Sequence, residues 1–462
     1  MNGTTVYPEV SIDDISLSLS STKLDTTVVD ERSLSSNDSA PTADSICELE
    51  FPESFEDDKI RSFKEFRSMI PYLQSGDAEK VFFNCSSQIL LNNIVVNAIN
   101  DFFANRSMSP DAEFMVFDKT VEETRQLYGK LLGLSEDDAD KICYTRDSSE
   151  SLHLIQESFQ FKKGDTILMI DNEFQHNNLS WLGFVENHPE LELNLKFIDT
   201  NGDKNFIVDG DSIAQYMDES VKVLSLSLTM YQSGLQNNVK SITSKFPDVH
   251  TIVDLTQDVG FHPVDVQDLG CSAAFFSCFK GLSVPQGLGI LYMNSEFLSC
   301  TKTLPPFVNI KGLAKFDSNA GAIVEDFDLK ACIHSSNALK YEHSNKPNLQ
   351  IYASHAILGY LLNDLGMDNV EKYLKFLRTK MEATLLKHGI ELFDGETKSP
   401  NIVVANINNP EWMKFFKSKK CTVSQFRYIT RFSIGIYNSV KDIDALDAIL
   451  MEGVEKGLKF LV

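Results

Sequence analysis

The sequence has few cysteines, and their spacing does not suit a metal site. Its 462 residues include eight cysteines and nine histidines, without a C-x-x-C pair or a cysteine–histidine cluster at zinc spacing. A structural metal and a disulfide framework are therefore not expected. The cysteines are interpreted as buried thiols of a reducing compartment.

Long apolar runs and an excess of positive charge are also missing. No window approaches the roughly eighteen consecutive apolar residues of a membrane span, and the N-terminus resembles neither a signal peptide nor a transit segment. The 42 basic residues are outnumbered by 66 acidic ones, for a formal charge of −24. Because nucleic acid and anionic membranes bind cationic surfaces, neither is expected as a partner. The sequence predicts a soluble, cytoplasmic protein, and its charge places no limit on a small substrate.

The acidic excess is concentrated at the N-terminus. Residues 1–60 hold 14 acidic and 3 basic residues and many serines, so they contribute −11 of the −24 charges. Such a segment has too little apolar surface to offset the entropy lost on ordering, and it is interpreted as a disordered, solvating tail. The remaining chain is divided into a large domain over 61–315 and a smaller C-terminal domain over 316–462.

Between about residues 80 and 295, short β-rich runs alternate with helical stretches. The strand candidates are "DTILMIDNEF", "LNLKFIDT", "VKVLSLSLT", "HTIVDLT", "SAAFFS" and "GILYMN". This alternation predicts an α/β fold with a mostly parallel sheet covered by helices on both faces, and a site at the carboxyl ends of the strands. Beyond residue 315, helices and two strand-like runs predict a smaller α+β domain. Its last helix is expected to bury one apolar face, formed by Ile443, Leu446, Ile449, Leu450 and Val454.

One lysine lies where a charge is costly. Lys280 is the single cation of "AAFFSCFKGLSVPQGLGILYMN", between an aromatic run and a loop with three glycines. A stem reaching to solvent and a salt-bridge partner are the ordinary interpretations. However, desolvation lowers the pKa of a lysine and frees its amine for Schiff-base chemistry. Asp254 and Gln257 lie at the end of an upstream β-rich run and could place a carboxylate and an amide beside Lys280. The Asp254 carboxylate could keep a pyridine nitrogen protonated.

These residues resemble the cofactor core of the class V aminotransferases, fold-type-I pyridoxal-phosphate (PLP) enzymes that include cysteine desulfurases. The matching motifs are "VDLTQDVG", "SCFK" and "GLSVPQGLGILYMN", and the resemblance covers about residues 80–455. It implies that Lys280 binds PLP as a Schiff base and then moves protons at Cα. It also implies that Asp254 pairs with the pyridinium nitrogen, that Gln257 contacts the phenolic oxygen and that Ser277 contacts the phosphate.

Two further blocks carry the resemblance. "YTRDSSESLHLIQESFQFKKGDTILMIDNEFQHNNLSW" is similar to the family's phosphate-binding block, in which Ser148 and Ser149 begin a helix whose free N–H groups favour a phosphate. In the same block His176 matches the histidine that stacks on the cofactor ring. "KYEHSNKPN" resembles a loop that in dimeric members reaches the neighbouring subunit's phosphate. The resemblance therefore implies a homodimer, with Ser344 and Asn345 in that role.

The terminal block "RFSIGIYNSVKDIDAL" resembles the end of the family pattern. Its Arg431 would bind the substrate α-carboxylate, because a guanidinium group bonds a carboxylate in bidentate fashion. A salt bridge at a domain seam is the alternative for this arginine. Tyr231, Gln232 and Ser233, which follow a strand candidate, are candidates for the lining of the substrate pocket.

Several departures from the family pattern bear on the reaction. Phe279 replaces a phosphate-contacting histidine, so one phosphate anchor must come from elsewhere. The segment "VFFNCSSQ" differs from the family's N-terminal strand, so the substrate side of the site is expected to have a different shape. Cys421 lies on a short strand-like stretch that has no room for the loop carrying the sulfur acceptor of desulfurases. Cys421 and Cys278 are both interpreted as packing residues, and a dedicated iron–sulfur desulfurase is disfavoured.

The sequence therefore predicts a PLP-dependent enzyme that acts at the α-carbon of an amino acid. A C–S lyase or cysteine desulfurase-like reaction is placed ahead of transamination. An epimerase-like enzyme of specialised metabolism and a non-catalytic scaffold of the same fold are the alternatives. The scaffold is disfavoured because a decaying site has little reason to keep five matching residue types, at Lys280, Asp254, Gln257, His176 and Arg431.

Overall fold

The helices and strands follow the α/β alternation of the sequence. The computed structural model describes residues 50–75, 80–108, 113–200, 206–302, 304, 316–317, 322–323, 337–343, 345–393, 395, 397–426 and 429–462. The helices are α1 (Asp57–Ser68), α2 (Pro71–Gln74), α3 (Asn93–Met108), α4 (Glu113–Leu131), α5 (Ser148–Ser158), α6 (Gln175–Asn187), α7 (Val239–Lys245), α8 (Val266–Leu269), α9 (Ser295–Ser299), α10 (Asn348–Gly359), α11 (Met367–Lys387), α12 (Pro410–Ser418) and α13 (Val440–Glu455). The strands are β1 (Val81–Phe82), β2 (Ile142–Thr145), β3 (Thr166–Ile170), β4 (Asn194–Ile198), β5 (Val221–Ser227), β6 (His250–Asp254), β7 (Ala273–Ser277), β8 (Gly289–Met293), β9 (Phe316–Asp317), β10 (Ala322–Ile323), β11 (Ile402–Ala405), β12 (Cys421–Thr422), β13 (Ser424–Phe426) and β14 (Ile429–Ser433). No described helix has the length and apolar character needed to cross a membrane.

A seven-stranded sheet in the order β2-β8-β7-β6-β5-β3-β4 forms the centre of the fold. β8 runs antiparallel to both of its neighbours, and the other adjacent pairs are parallel. The predicted α/β fold with a mostly parallel sheet is therefore confirmed, and all six strand candidates are strands. β2 is not predicted from the sequence, because its four residues run directly into the motif that follows.

Both faces of this sheet are covered, as alternate side chains of β7 demonstrate. Phe275 belongs to an apolar cluster with Leu152 of α5 and Trp181 of α6. Phe276, the next residue, belongs to a second cluster that contains Tyr128 of α4. Since successive strand residues point to opposite faces, the two clusters lie on opposite sides of the sheet.

The chain segment ahead of the large sheet packs on the C-terminal elements, although the sequence groups it with the large domain. β1 pairs in parallel with β12. The guanidinium of Arg67 on α1 donates to both carboxylate oxygens of Asp442 on α13, at 2.8 and 3.0 Å. β11, β14 and β13 form an antiparallel three-stranded sheet beside them. The predicted domain boundary at residue 315 lies outside the described residues.

Residues 50–60 are grouped with the tail by composition, but they make specific contacts. The ring of Phe51 stacks on Tyr373 with centroids 5.2 Å apart, and Phe55 packs on Phe63 at 5.5 Å. α1 begins at Asp57, inside the predicted tail. The two phenylalanines are isolated among acidic residues, so composition alone does not identify them as anchors.

The apolar face predicted for α13 is correct except at its end. Ile443, Leu446, Ile449 and Leu450 are buried, whereas Val454 is 46% exposed, so the prediction is wrong for that residue. In the last turn the residue that faces the protein is Gly453. A Cβ at Gly453 would lie 2.3 Å from the Trp412 ring, so the close approach of this ring selects glycine and leaves Val454 outside.

Two glycines allow the turn after β6 and the turn after β7 to touch. Gly260 has a φ of +88°, a conformation that side chains disfavour. A Cβ on Gly281 would lie 2.1 Å from the carbonyl oxygen of Val259, closer than any real contact. The turn that follows Lys280 is therefore in direct backbone contact with the turn that follows Gln257.

Replacing Gly281 with alanine should lower the free energy of unfolding by about 2 kcal/mol, because the added methyl group forces the two turns apart. The midpoint of urea denaturation measures this change. Gly183→Ala is the matched control, since Gly183 lies inside α6 with open space around a Cβ, and alanine there should stabilise the helix by up to about 1 kcal/mol. Equal midpoints for wild-type protein and Gly281→Ala would contradict the steric argument.

Candidate active site

A cavity of about 560 Å³ opens at the carboxyl edge of the large sheet. It is lined by residues that follow β2, β3, β5, β6 and β7, which is where a mostly parallel sheet gathers the ends of its strands. Seven of the ten predicted site residues line it, namely Ser148, Ser149, His176, Asp254, Gln257, Ser277 and Lys280. Sequence positions more than 100 residues apart are thus brought to one site.

Lys280 follows the end of β7 and presents an unpaired amine to the cavity. No hydrogen bond or ion pair joins its Nζ to another described residue, and the nearest ring centroid, of Phe279, is 5.8 Å from it. Desolvation lowers the pKa of Lys280 to about 8. The charge of Asp254 opposes this shift and that of Arg431 adds to it. A neutral amine is therefore accessible near neutral pH, as a nucleophile or base requires.

Asp254 ends β6 and is held in place by two hydrogen bonds. Its Oδ2 accepts from Asn177 Nδ2 at 3.0 Å, and its Oδ1 accepts from the backbone N–H of Thr256 at 2.8 Å. The carboxylate is 7% exposed and lines the cavity. The sequence does not predict the role of Asn177, although its place beside His176 in "EFQHNN" is the signal that could have identified it.

Gln257 lines the cavity with one polar atom unpaired. Its Nε2 donates to the carbonyl oxygen of Ser86 at 3.0 Å. Its Oε1 is buried and has no hydrogen-bond partner among the described residues. Because a buried polar atom without a partner is costly, this oxygen is suited to accept a hydrogen bond from a bound group.

The first turn of α5 also lines the cavity. The backbone N–H of Ser148 donates to Ser277 Oγ at 3.0 Å, and the two hydroxyl oxygens are also 3.0 Å apart. Gly289 lets β8 approach this turn, since a Cβ there would lie 2.6 Å from the backbone of Asp147. A helix N-terminus with two serine hydroxyls is the arrangement expected for a phosphate.

Thr256 is a candidate for the phosphate anchor that Phe279 cannot provide. It lines the cavity, and its hydroxyl accepts from the backbone N–H of Ser277 at 3.3 Å. A hydroxyl that accepts this bond still has a proton to donate to an anion. The sequence does not single out Thr256, because a threonine between Asp254 and Gln257 is ordinary turn composition.

His176 lies in the first turn of α6 with an exposed ring beside the cavity. The ring stacks on Phe174, with centroids 5.1 Å apart and planes 23° apart. Phe174 in turn meets the edge of Tyr231 at 5.2 Å. Tyr231 lines the cavity as predicted, whereas Gln232 and Ser233 are not among the lining residues.

Arg431 is a buried cation without a carboxylate partner among the described residues. It is 2% exposed on β14 and is not among the residues that line the cavity, although it contacts Tyr231, which is. Its guanidinium donates to the carbonyl oxygen of Tyr231 at 2.5 Å and to Ser87 Oγ at 2.7 Å, and its Nε has no partner. Burial lowers its pKa to about 10, so it remains charged at neutral pH. The described contacts contain no seam salt bridge, and a buried guanidinium without an ion-pair partner is suited to a carboxylate ligand.

The loop predicted to reach the phosphate of a neighbouring subunit is only partly described. Asn345 is exposed just ahead of α10 and does not line the cavity of its own chain, and Ser344 lies outside the described residues. The role assigned to these two residues stays a prediction.

The two cysteines considered as sulfur acceptors are packing residues. Cys278 is buried and hydrogen-bonded to Tyr128 Oη at 3.3 Å, and Cys421 is buried on β12. Burial raises the pKa of each thiol to about 12, so neither carries appreciable thiolate. No described cysteine lines the cavity.

Comparisons with known proteins agree with this geometry. The family model "Aminotransferase class-V" matches residues 84–446. An uncharacterized aminotransferase of Schizosaccharomyces pombe is 33% identical over 87% of this chain and 98% of its own length. A probable cysteine desulfurase of Methanothermobacter thermautotrophicus is 25% identical over 75% of this chain and 82% of its own.

The fold has solved counterparts as well. A structure of C-DES with glycine covalently linked to its PLP cofactor matches with a TM-score of 0.70 and 16% identity, over 83% of this chain and 98% of that one. Identity this low supports the fold alone. The family match over residues 84–446 and the relative at 33% identity establish that the chain belongs to the class-V aminotransferase family, as its motifs predict.

Proposed function

We propose that this protein is a PLP-dependent C–S lyase, which removes the α-proton of an amino acid and releases the sulfur substituent of its β-carbon. The observation that carries this proposal is the Lys280 amine, which lines the cavity, is desolvated, has no partner among the described residues and interacts electrostatically with Asp254 and Arg431. A lysine with a pKa near 8 is suited to taking and returning a proton at Cα.

The residues of the cavity fit PLP. Lys280 offers an unpaired amine for covalent attachment, and Gln257 offers an unpaired amide oxygen. Asp254 would pair with the pyridine nitrogen. Ser148 and Ser277 would hold the phosphate at the N-terminus of α5.

The polar residues then have distinct tasks in the reaction. When bound, PLP supplies an electron sink for the bond that breaks at Cα. Lys280 takes the α-proton on Nζ, and Arg431 fixes the substrate carboxylate so that the Cα–H bond faces this amine. Asn177 and the backbone of Thr256 keep the Asp254 carboxylate in place through two hydrogen bonds.

The described residues that line the cavity support elimination over persulfide transfer. A desulfurase transfers sulfur to a protein thiol, but no described cysteine lines the cavity. β-Elimination releases the sulfur as a free thiol and needs no such acceptor. Transamination is the second candidate, supported by the relative named as an aminotransferase, which is 33% identical over 87% of this chain. A homodimer and a cytoplasmic location stay predictions.

Colour and products test the proposal. Purified protein should absorb visible light as PLP enzymes do, and borohydride should fix the cofactor on Lys280. Cysteine conjugates should then release pyruvate in equal amount to thiol. Amino transfer to an added keto acid, without pyruvate release, would favour transamination. Protein that stays colourless in excess PLP would rule out both the lyase and the aminotransferase activity.

A further inference from the structure

Three aromatic side chains, here called the aromatic wall, connect His176 to Arg431. The first ring is Phe174, which stacks on His176 and lies 5.2 Å from Tyr231. Tyr231 meets the edge of Phe426 at 6.0 Å, and the guanidinium carbon of Arg431 lies 5.2 Å from the Phe426 centroid. The wall therefore runs from the side of the cavity expected for the cofactor ring to the arginine expected to bind the substrate carboxylate.

Four charged residues are among the described residues that line the cavity, and none of them belongs to the aromatic wall. Arg146 and Asp147 belong to the turn ahead of α5, where Arg146 is paired with Glu150 at 2.7 Å. Asp254 ends β6, and Lys280 lies in the turn after β7. A charged substrate side chain placed against the wall would thus lose water without gaining a partner among the described lining residues.

An apolar sulfur substituent suits this wall. A thioether makes favourable contacts with aromatic rings, and an apolar group beyond the sulfur would bury additional surface against them. Resting on the function proposed above, we propose that the substrate is a cysteine whose sulfur carries an apolar substituent, which packs against the aromatic wall.

The reaction balances without an oxidant, a reductant or a protein thiol. The Cα–H bond breaks and its proton goes to Lys280 Nζ. The Cβ–S bond breaks with its electron pair leaving on sulfur, which takes up a proton and departs as a thiol. The remaining three-carbon fragment adds water and yields pyruvate and ammonia.

A ligand series on the holoenzyme tests this inference. Binding is measured as the change in cofactor absorbance, and reaction as pyruvate and thiol. S-Benzyl-L-cysteine should bind about tenfold more tightly than S-methyl-L-cysteine, and L-cysteine and L-aspartate should bind more weakly than both. Release of pyruvate with L-cysteine as the preferred ligand would overturn the inference and leave the lyase function standing. Tight binding of the benzyl compound without pyruvate release would instead overturn the lyase function.

Substitution of one residue of the aromatic wall distinguishes a role in substrate recognition from a structural role. Phe174→Ala should weaken binding of S-benzyl-L-cysteine about tenfold and change binding of S-methyl-L-cysteine less than about twofold. A purely structural role would weaken both ligands equally, and that result would overturn the inference. Phe103→Ala is the control, since Phe103 is 54% exposed on α3, and it should alter neither affinity.

Discussion

Replacing Lys280 with alanine should reduce turnover by about a thousandfold or more. The variant loses both the amine that holds the cofactor and the base that accepts the α-proton, and general base catalysis alone is typically worth about 10² to 10⁴. Pyruvate release from a cysteine conjugate measures the turnover. In addition, the visible absorbance of the variant should be lost on desalting, because PLP is no longer attached covalently.

The fold should survive this substitution, so that the loss can be assigned to chemistry. Burial already disfavours the charged form of Lys280, and no described residue forms a hydrogen bond with its Nζ. The melting temperature of the cofactor-free variant should therefore be no lower than that of cofactor-free wild-type protein. Lys372→Ala is the matched control, since Lys372 is exposed on α11 and should be dispensable. Normal turnover by Lys280→Ala would refute the assignment of the base.

Arg431→Gln should weaken amino-acid binding about a hundredfold. Truncating one partner of a buried charge pair generally costs about 2 to 5 kcal/mol, and among the described residues no carboxylate of the protein shares this guanidinium. The affinity for S-benzyl-L-cysteine is read from the change in cofactor absorbance. S-Benzylcysteamine, which lacks the carboxylate, is the matched ligand and should lose little affinity.

The same variant should change the pH dependence of cofactor incorporation. The charge of Arg431 contributes to the lowering of the Lys280 pKa to about 8, so its removal should raise that pKa. The pH at which PLP incorporation is half maximal should therefore move above about 8. Arg61→Gln, at an exposed arginine of α1, should leave it unchanged. If Arg431→Gln weakened the binding of S-benzyl-L-cysteine and of S-benzylcysteamine equally, Arg431 would have a structural role only.

The large sheet and most of the cavity are predictable from the sequence for a local reason. Most predicted residues that line the cavity lie within a few positions of a predicted strand, as Ser277 and Lys280 do at the end of β7. Ser148 and Ser149 are the exception, because β2, which they follow, is not predicted. Once a parallel sheet is inferred, its carboxyl edge brings these strand ends together without further information. The local motif and the sheet topology are then sufficient to place the side chains.

The contacts that were not predicted depend on residues distant in the sequence. β1 pairs with β12, and Arg67 binds Asp442, across more than 300 residues. Asn177 supports Asp254 from another strand end, 77 positions away. No periodicity or motif encodes such pairings, because they arise only when the elements pack.

The contact between Gly260 and Gly281 also bears on how new specificities could arise. Because the turns after β6 and β7 touch through backbone atoms, the spacing between the backbone segments that carry Asp254 and Lys280 depends little on the packing of side chains. Arg431 and Phe426 belong to another sheet, β11-β14-β13. Substitutions there could therefore exchange one substrate for another while the proton-transfer apparatus keeps its dimensions, so that chemistry and selectivity can diverge separately.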